Sequence, residues 1–218
     1  MHGSPAAGER PDPLAGGEPA TLLVFVRAPR RGSVKTRLAA EVGADAALAV
    51  YRRLAEHTVA AAATLAREGV SLRIHHTPAD AAAEVRAWLG EGPLYLPQAA
   101  GGLGERMAAA FRAAFASGAR RAVIVGSDLP ALSPDLLRRA LAALERRDAV
   151  VGPARDGGYY LLGLTRMREE LFEGIEWSTP SVLPATLSRL RRAGVEPVLL
   201  EELADVDRAA DLPPGWLP

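Results

Sequence analysis

Short apolar runs alternate with longer amphipathic segments along most of the 218-residue chain. Apolar runs bounded by turn residues are typical of buried strands, whereas apolar positions that recur every three or four residues indicate helices. The pattern predicts strands at residues 22–26, 70–75, 94–97, 122–125, 149–151, 159–164 and 197–200. It predicts helices at residues 44–67, 79–89, 104–117, 133–147 and 179–193.

This order of elements predicts an α/β fold: a three-layer αβα sandwich around a mixed, mainly parallel sheet. Strands that are separated by helices run parallel, because each helix crosses the sheet and returns the chain to the same edge. The short turn Asp156-Gly157-Gly158 joins two strands directly and predicts one antiparallel element. We expect residues 21–218 to form a single domain. Residues 1–20, rich in Pro, Gly, Ala and charge, should form a disordered extension.

Composition narrows the classes of function. Lys and Arg total 26, Asp and Glu total 26, and there is no Cys. A formally neutral chain argues against non-specific binding of nucleic acid, and the lack of Cys excludes thiolate metal sites and a cysteine nucleophile. No segment has the roughly 20 apolar residues of a membrane span, and the first residues lack the apolar core of a secretory signal. We therefore expect a cytoplasmic protein without a membrane span, whose oligomeric state the sequence does not reveal.

The loop after the first strand carries an unusual density of positive charge. Its five cations are Arg27, Arg30, Arg31, Lys35 and Arg37. Like charges this close repel unless an anion is present, and Arg and Lys are the usual ligands of phosphate. Gly32 would allow close approach of the backbone, although Val34 stands where a Walker A loop needs Gly. The loop predicts a phosphate site; a solvated basic loop is the alternative.

Carboxylates follow two other extended segments. Asp128 comes directly after the strand at 122–125, and ligands of parallel sheets bind at the carboxyl ends of strands. In Asp205-Val206-Asp207 the alternation of an extended chain places both carboxylates on one side. Oxygen ligands suit Mg²⁺, so a metal could join Asp128 and one of this pair to a diphosphate. The alternatives are that Asp128 caps a turn and that Asp205 and Asp207 are solvated.

Two glycine-rich turns and Gln98 are further candidates for ligand binding. Glycines at 101–104 and 157–158 would allow a ligand to approach the backbone closely. The amide of Gln98 could read the edge of a nucleotide base. His75 and His76 have no acidic or Cys partner nearby in sequence, and we interpret them as a surface pair.

Several segments together resemble one bacterial family. They are FVRAPRRGSVKTRL at 25–38, QAAGGLGERM at 98–107, VGSDLP at 125–130, DGGYYLLGL at 156–164, WST at 177–179 and DVDRAADL at 205–212. In this order they resemble DUF2064, a family of small GT-A-type glycosyltransferases in the nucleotide-diphospho-sugar transferase superfamily. The closing DVD…DL is also similar to phospholactate and molybdenum-cofactor guanylyltransferases. The chain departs from the family pattern at Arg27, where Lys is usual, and at Gly102, where Asp is usual.

The resemblance implies a role for each matching residue. Catalytic roles would fall to Lys35, Asp128 and Asp156, with Asp156 the candidate general base, and the metal ligands would be Asp128 and Asp207. The nucleotide would contact Arg27, Ala28, Pro29, Gly32, Lys35, Arg37, Gln98, Gly104 and Arg106. The second substrate would contact Gly157, Gly158, Tyr159, Trp177 and Thr179.

The resemblance implies a transferase that depends on Mg²⁺ or Mn²⁺ and joins a nucleotide-activated donor to a small-molecule acceptor. Glycosyl transfer from a nucleotide sugar is the first expectation. Nucleotidyl transfer with release of pyrophosphate is the alternative, because the basic loop suits a triphosphate. A nucleotide-binding module without turnover is the third.

Overall fold

The computed structural model describes residues 20–216. Its centre is a seven-stranded sheet in the order β3-β2-β1-β4-β6-β5-β7. The strands are β1 (Thr21–Arg27), β2 (Ser71–Thr77), β3 (Leu94–Pro97), β4 (Ala122–Val125), β5 (Ala149–Pro153), β6 (Tyr159–Leu164) and β7 (Val198–Leu199). Strand β6 is antiparallel to β4 and β5, and the other pairs are parallel. The predicted mixed, mainly parallel sheet is confirmed.

Helices cover both faces of the sheet. They are α1 (Thr36–Val42), α2 (Ala44–Ala66), α3 (Ala82–Leu89), α4 (Leu103–Ala116), α5 (Pro134–Ala143) and α6 (Val182–Arg192). Apolar residues of α2, α3 and α5 pack on one face of the sheet, and those of α4 and α6 pack on the other. This arrangement confirms the predicted three-layer αβα sandwich, because each face buries its own apolar cluster.

Helix α1 was missed by the pattern of apolar residues. It has seven residues, its N-cap Lys35 makes no capping bond through its side chain, and Leu38 is its one buried residue. So short a helix shows little periodicity, and packing against α2 stabilises it: Leu38 meets Val50 and Leu54. By contrast, the predicted start of α5 is confirmed, since the Ser133 hydroxyl accepts a hydrogen bond from the Leu136 N–H at 3.1 Å.

Strand β6 is inserted between β4 and β5. The sequence predicted the hairpin of β5 and β6 but not the pairing of β6 with β4. A Cβ at Gly163 would lie 2.5 Å from Val150 Cγ1, so this inner strand has no room for a side chain there. The pairing brings the end of β4 beside the start of β6, where the Gly126 N–H donates to the Tyr160 carbonyl at 3.3 Å. The functional residues of both strands therefore share one edge.

The interpretation of His75 and His76 as a surface pair is wrong. Their exposed fractions are 5% and 0%. Strand β2 lies between β1 and β3 with helices on both faces, so both imidazoles are enclosed. Burial lowers the pKa of His75 to about 4, and the positive charge of Arg73 adds to the effect.

The predicted extension at residues 1–19 lies outside the described residues. Ala20 directly precedes β1 and is buried. Within residues 20–216, no helix combines the length and the apolar character that crossing a membrane requires.

Candidate active site

A cleft of about 440 Å³ opens at the edge of the sheet where β4 ends and β6 begins. Asp128, Asp156 and Gly158 line it, together with Asp205 and Asp207 from the tail of the chain. Aromatic side chains at 159 and 177 form a wall. The cleft therefore lies where ligands of parallel sheets bind, at the carboxyl ends of the strands.

Lys35 is the electrostatic centre of this edge. Its Nζ lies 2.8 Å from Asp128 Oδ2 and 3.6 Å from Asp207 Oδ1. The Lys35 side chain is 5% exposed, whereas both carboxylates are about two-fifths exposed. The backbone of Lys35 is left-handed, with φ 47°, an unfavourable conformation for a residue with a Cβ. The fold thus holds one buried ammonium between two carboxylates that remain open to the cleft.

The tail of the chain is tied to the loop after β4. Val206 is fully buried, and its N–H donates to the Asp128 carbonyl at 3.1 Å. Asp205 and Asp207, on either side of it, both line the cleft, as the alternation predicted. Arg37 donates to Asp207 Oδ2 at 2.8 Å, so a residue 170 positions away in sequence fixes this carboxylate.

Asp205 has a carboxyl group whose pKa is raised. Burial is the largest cause, and the negative charges of Asp207 and Asp156 add to it, while Lys35 opposes it. The cleft is therefore crowded with carboxylates, and a proton or another cation is favoured there.

The basic loop divides into two parts in the folded protein. Arg30 pairs with Glu84 at 2.9 Å and Arg31 with Asp45 at 2.6 Å, on α3 and α2. Arg27 donates to the Ser33 carbonyl at 2.9 Å. Of the five cations, Lys35 and Arg37 are the ones that contact carboxylates of the cleft. The acidic partners of Arg30 and Arg31 lie on helices that the loop sequence could not reveal.

The other residues expected at the nucleotide are mostly engaged with backbone. Ala28 is fully buried, and Gly32 has φ 75° with open space where a Cβ would be. The Gln98 amide nitrogen donates to the carbonyls of Val26 and His75, at 3.2 and 2.9 Å. It thereby holds the ends of β1 and β2 together. No contact of Pro29 in the described part of the chain bears on its expected role. Binding of the nucleotide by these residues stays a prediction.

Two residues at the start of α4 organise the rim of the cleft. The Arg106 Nε donates to the Gly101 carbonyl at 2.8 Å. A Cβ at Gly104 would lie 2.3 Å from Trp177 Nε1, so the indole packs directly on the helix backbone. Gly104 therefore admits Trp177, which lines the cleft, whereas Gly104 and Arg106 are not among the lining residues.

The 156–159 turn and the 177–179 segment build the aromatic wall. The rings of Tyr159 and Trp177 meet edge to face, with centroids 6.3 Å apart. Burial raises the pKa of Tyr159, so its hydroxyl stays protonated. Asp156 Oδ1 accepts the Gly158 N–H at 2.9 Å and thereby shapes the turn.

Backbone geometry fixes the rest of that wall. Gly157 has φ 87°, and a Cβ there would lie 2.5 Å from Pro180 Cα. The Thr179 hydroxyl donates to the Glu176 carbonyl at 2.7 Å. The structure therefore brings together the residues expected at the second substrate: Gly157 packs behind the wall, and Asp156, Gly158, Tyr159, Trp177 and Thr179 line the cleft.

Tyr51 is a residue that the sequence analysis missed. Its hydroxyl accepts the Arg27 N–H at 2.7 Å and donates to the Arg27 carbonyl at 2.8 Å. Burial raises its pKa to about 12. Tyr51 thus anchors the start of the basic loop on α2. Its place in a long apolar helix pattern gave no signal of this contact.

Within residues 20–216, no group of three or more His, Asp or Glu side chains is arranged to hold a metal ion. Asp128 and Asp207 are the carboxylates that meet at one positive charge. A metal ion here would need further ligands from a substrate or from water.

Sequence comparison identifies the family. Residues 58–179 match DUF2064, described as an uncharacterized protein conserved in bacteria. The chain belongs to the DUF2064 family. The matched residues include Asp128, Asp156 and Trp177, while Lys35 and Asp207 lie outside them. A search of curated proteins found no match.

Solved structures show the same fold. A proposed nucleotide-diphospho-sugar transferase from Desulfovibrio desulfuricans G20 is 39% identical, with a TM-score of 0.81 over 88% of this chain and 83% of that one. CMP:2-keto-3-deoxy-manno-octonic acid synthetase, complexed with CTP, is 14% identical with a TM-score of 0.54, over 88% and 94% of the two chains. Glucosyl-3-phosphoglycerate synthase from Mycobacterium tuberculosis, in complex with Mn²⁺, UDP and glucosyl-3-phosphoglycerate, is 13% identical with a TM-score of 0.53, over 94% and 80%.

These likenesses place this DUF2064 member among the transferases of the nucleotide-diphospho-sugar transferase fold. The two distant structures contribute the fold alone. The D. desulfuricans protein, by its identity and coverage, supports both the family and the general class of enzyme.

Proposed function

We propose that this protein is a metal-dependent glycosyltransferase that uses a nucleotide-activated sugar as donor. The observation that carries the proposal is the contact of Lys35 with Asp128 and Asp207, two carboxylates that line the cleft. A buried ammonium group can bind phosphate, and two accessible carboxylates can bind a divalent cation. The likeness to a proposed nucleotide-diphospho-sugar transferase supports the same class of reaction.

The donor atoms present fit Mg²⁺ or Mn²⁺. Asp128 and Asp207 offer carboxylate oxygens, and their exposure leaves room for water and phosphate oxygens as further ligands. When bound, the metal ion would neutralise charge on the departing diphosphate. The glucosyl-3-phosphoglycerate synthase structure is a complex with Mn²⁺ and UDP, which supports this choice of ion.

The chain's own residues have separate tasks in this proposal. Lys35 and Arg37 hold the phosphates, and the segment with Gln98, Gly104 and Arg106 lies toward the base and ribose. Tyr159, Trp177 and Thr179 face the acceptor. Arg37, Tyr159, Trp177 and Thr179 line the cleft, which supports the tasks given to them.

Asp156 is the general base of the proposed reaction in its inverting form. The acceptor hydroxyl oxygen bonds to the anomeric carbon of the donor sugar as its proton passes to the Asp156 carboxylate. The bond from that carbon to the diphosphate oxygen breaks, and its electron pair leaves with the nucleoside diphosphate. Asp156 lines the cleft and is held by the Gly158 N–H, which supports this role.

Nucleotidyl transfer is the second candidate, because the basic loop suits a triphosphate. The ion pairs of Arg30 with Glu84 and of Arg31 with Asp45 argue against nucleotidyl transfer. They leave Lys35 and Arg37 as the loop cations at the cleft, and this smaller charge matches a diphosphate donor better than a triphosphate.

A donor screen and one variant test the proposal. Thermal shifts with nucleotide sugars and with nucleoside triphosphates, each with Mg²⁺ or Mn²⁺, should identify a nucleotide sugar as ligand, since binding to the native state raises its stability. Turnover should release a nucleoside diphosphate; release of pyrophosphate instead would establish nucleotidyl transfer.

Asp128→Ala should lower turnover by about 100-fold or more, because a metal ligand in the active site is lost. The matched control is Asp135→Ala, which removes a carboxylate paired with Arg139 at 3.4 Å on the outside of α5. Unfolding curves must show that both variants keep the fold. Wild-type turnover in Asp128→Ala would exclude metal catalysis at this site, and donor binding without turnover in the wild-type protein would favour the binding module.

A further inference from the structure

We infer that the acceptor is an uncharged polyhydroxyl compound, a sugar or polyol, and not a phosphorylated or carboxylated one. The inference rests on the proposed function and concerns the acceptor end of the cleft, defined as Asp156, Tyr159, Trp177, Thr179 and Asp205. Its basis is the distribution of charge and aromatic surface in a 440 Å³ cavity.

The described residues that line this cleft carry negative charge in excess. Four are carboxylates, Asp128, Asp156, Asp205 and Asp207, against one cation, Arg37. Arg37 is paired with Asp207, and the buried Lys35 is paired with Asp128. Both cations therefore lie at the donor end and are already engaged with carboxylates.

Among the described residues, no cation forms an ion pair with the carboxylates of the acceptor end. Neither Asp156 nor Asp205 forms an ion pair there, and Asp156 is bound by a backbone N–H. Arg155 is next to Asp156 in sequence, but its guanidinium turns to Glu202, 3.9 Å away. A phosphate or carboxylate on the acceptor would meet two negative charges and no guanidinium to bind it.

Hydroxyl groups suit the same surface. Carboxylate oxygens accept hydrogen bonds and cannot donate them, so a ligand with several O–H donors satisfies Asp156 and Asp205 without adding charge. The edge-to-face pair of Tyr159 and Trp177 offers apolar surface to the C–H faces of a sugar or polyol. Trp177 packs closely on the backbone at Gly104, which supports the wall from behind.

Matched pairs of acceptors test the inference. Product formation is measured with the donor found by thermal shift, on a panel in which each sugar or polyol is compared with its own phosphate: glycerol with glycerol 3-phosphate, glucose with glucose 6-phosphate, inositol with inositol 1-phosphate. We expect the neutral member of an accepted pair to have a kcat/KM at least about tenfold higher, because like charges in a cleft are strongly disfavoured.

A variant adds a positive charge without touching the catalytic residues. Ser178 lines the cleft between Trp177 and Thr179 and is exposed, so the fold tolerates a longer polar side chain there. Ser178→Arg should shift the ratio of kcat/KM toward the phosphorylated member, whereas the neutral control Ser178→Gln should not. Equal ratios in the two variants would overturn the electrostatic basis of the inference.

The other possible outcomes also test the inference. Preference for the phosphorylated member in the wild-type protein, or transfer to amines alone while the donor binds, would overturn the inference and leave the proposed function standing. A bound donor with no transfer to any sugar or polyol would overturn it too. Failure of every nucleotide sugar to bind would instead overturn the proposed function.

Discussion

At the scale of single residues, one ammonium group organises the candidate site. Lys35 is buried, left-handed in its backbone and in contact with carboxylates from the loop after β4 and from the tail. Burial of a charge is costly unless opposite charges surround it, so Lys35 and its two partners stabilise one another. The same Lys35 charge would compete with a metal ion for Asp128 and Asp207 until donor phosphates draw it away.

Lys35→Met tests two effects of the Lys35 charge: binding of the donor phosphates and competition with a metal ion. Nucleotide affinity should fall by about tenfold or more, since a charged contact to phosphate is lost. Affinity for Mn²⁺ in the absence of nucleotide should rise, because a competing positive charge is removed. Calorimetry measures both. Arg31→Met is the control, since Arg31 pairs with Asp45 outside the cleft; unchanged nucleotide affinity in Lys35→Met would contradict a phosphate role.

At the scale of elements, the insertion of β6 between β4 and β5 builds the cleft. It sets the 156–159 turn beside the end of β4, and α4 supports the aromatic wall through Gly104. The side-chain periodicity of β6 predicted a strand but carried no information about its partners. The position of the Trp177 indole thus requires a glycine at 104, because the indole packs on the helix backbone there.

Gly104→Ala should disturb this contact between α4 and the wall. The new Cβ would lie 2.3 Å from Trp177 Nε1, so the indole must move, at a cost of about 1–3 kcal/mol in the free energy of unfolding. Tryptophan fluorescence and urea unfolding check both effects. Gly102→Ala is the control, because the nearest atom to its Cβ would be Glu105 Oε2 at 3.7 Å. If the two variants unfold alike, close packing at Gly104 does not matter.

At the scale of the whole molecule, burial determines the protonation of a polar side chain, as His75 shows. His75 lies in the sandwich of sheet and helices, packed on Phe25 with ring centroids 5.5 Å apart. Burial holds its folded-state pKa at about 4, below the ordinary value near 6.5. The unfolded chain therefore binds a proton at a pH where the folded protein does not.

The stability of the protein should fall as the pH falls from about 6.5 toward 4, because His75 must stay neutral in the fold. The contribution of His75 at pH 4.5 relative to pH 7 is on the order of 2–3 kcal/mol in the free energy of unfolding. Urea unfolding at both pH values, compared between the wild-type protein and His75→Phe, isolates it. An identical loss of stability in the variant would show that His75 does not titrate in this way.

The sequence by itself determined the order of the strands and of the helices other than α1, the three-layer class and the segments that meet at the cleft. These depend on local periodicity, on turn residues such as Asp156-Gly157-Gly158 and on motifs of neighbouring residues. Only the tertiary structure decided that Arg30 and Arg31 pair with Glu84 and Asp45, that Lys35 lies between Asp128 and Asp207, and that His75 is enclosed. The physical reason is that ion pairing and burial depend on residues far apart in the chain, whose approach is set by the strand order and not by any local pattern.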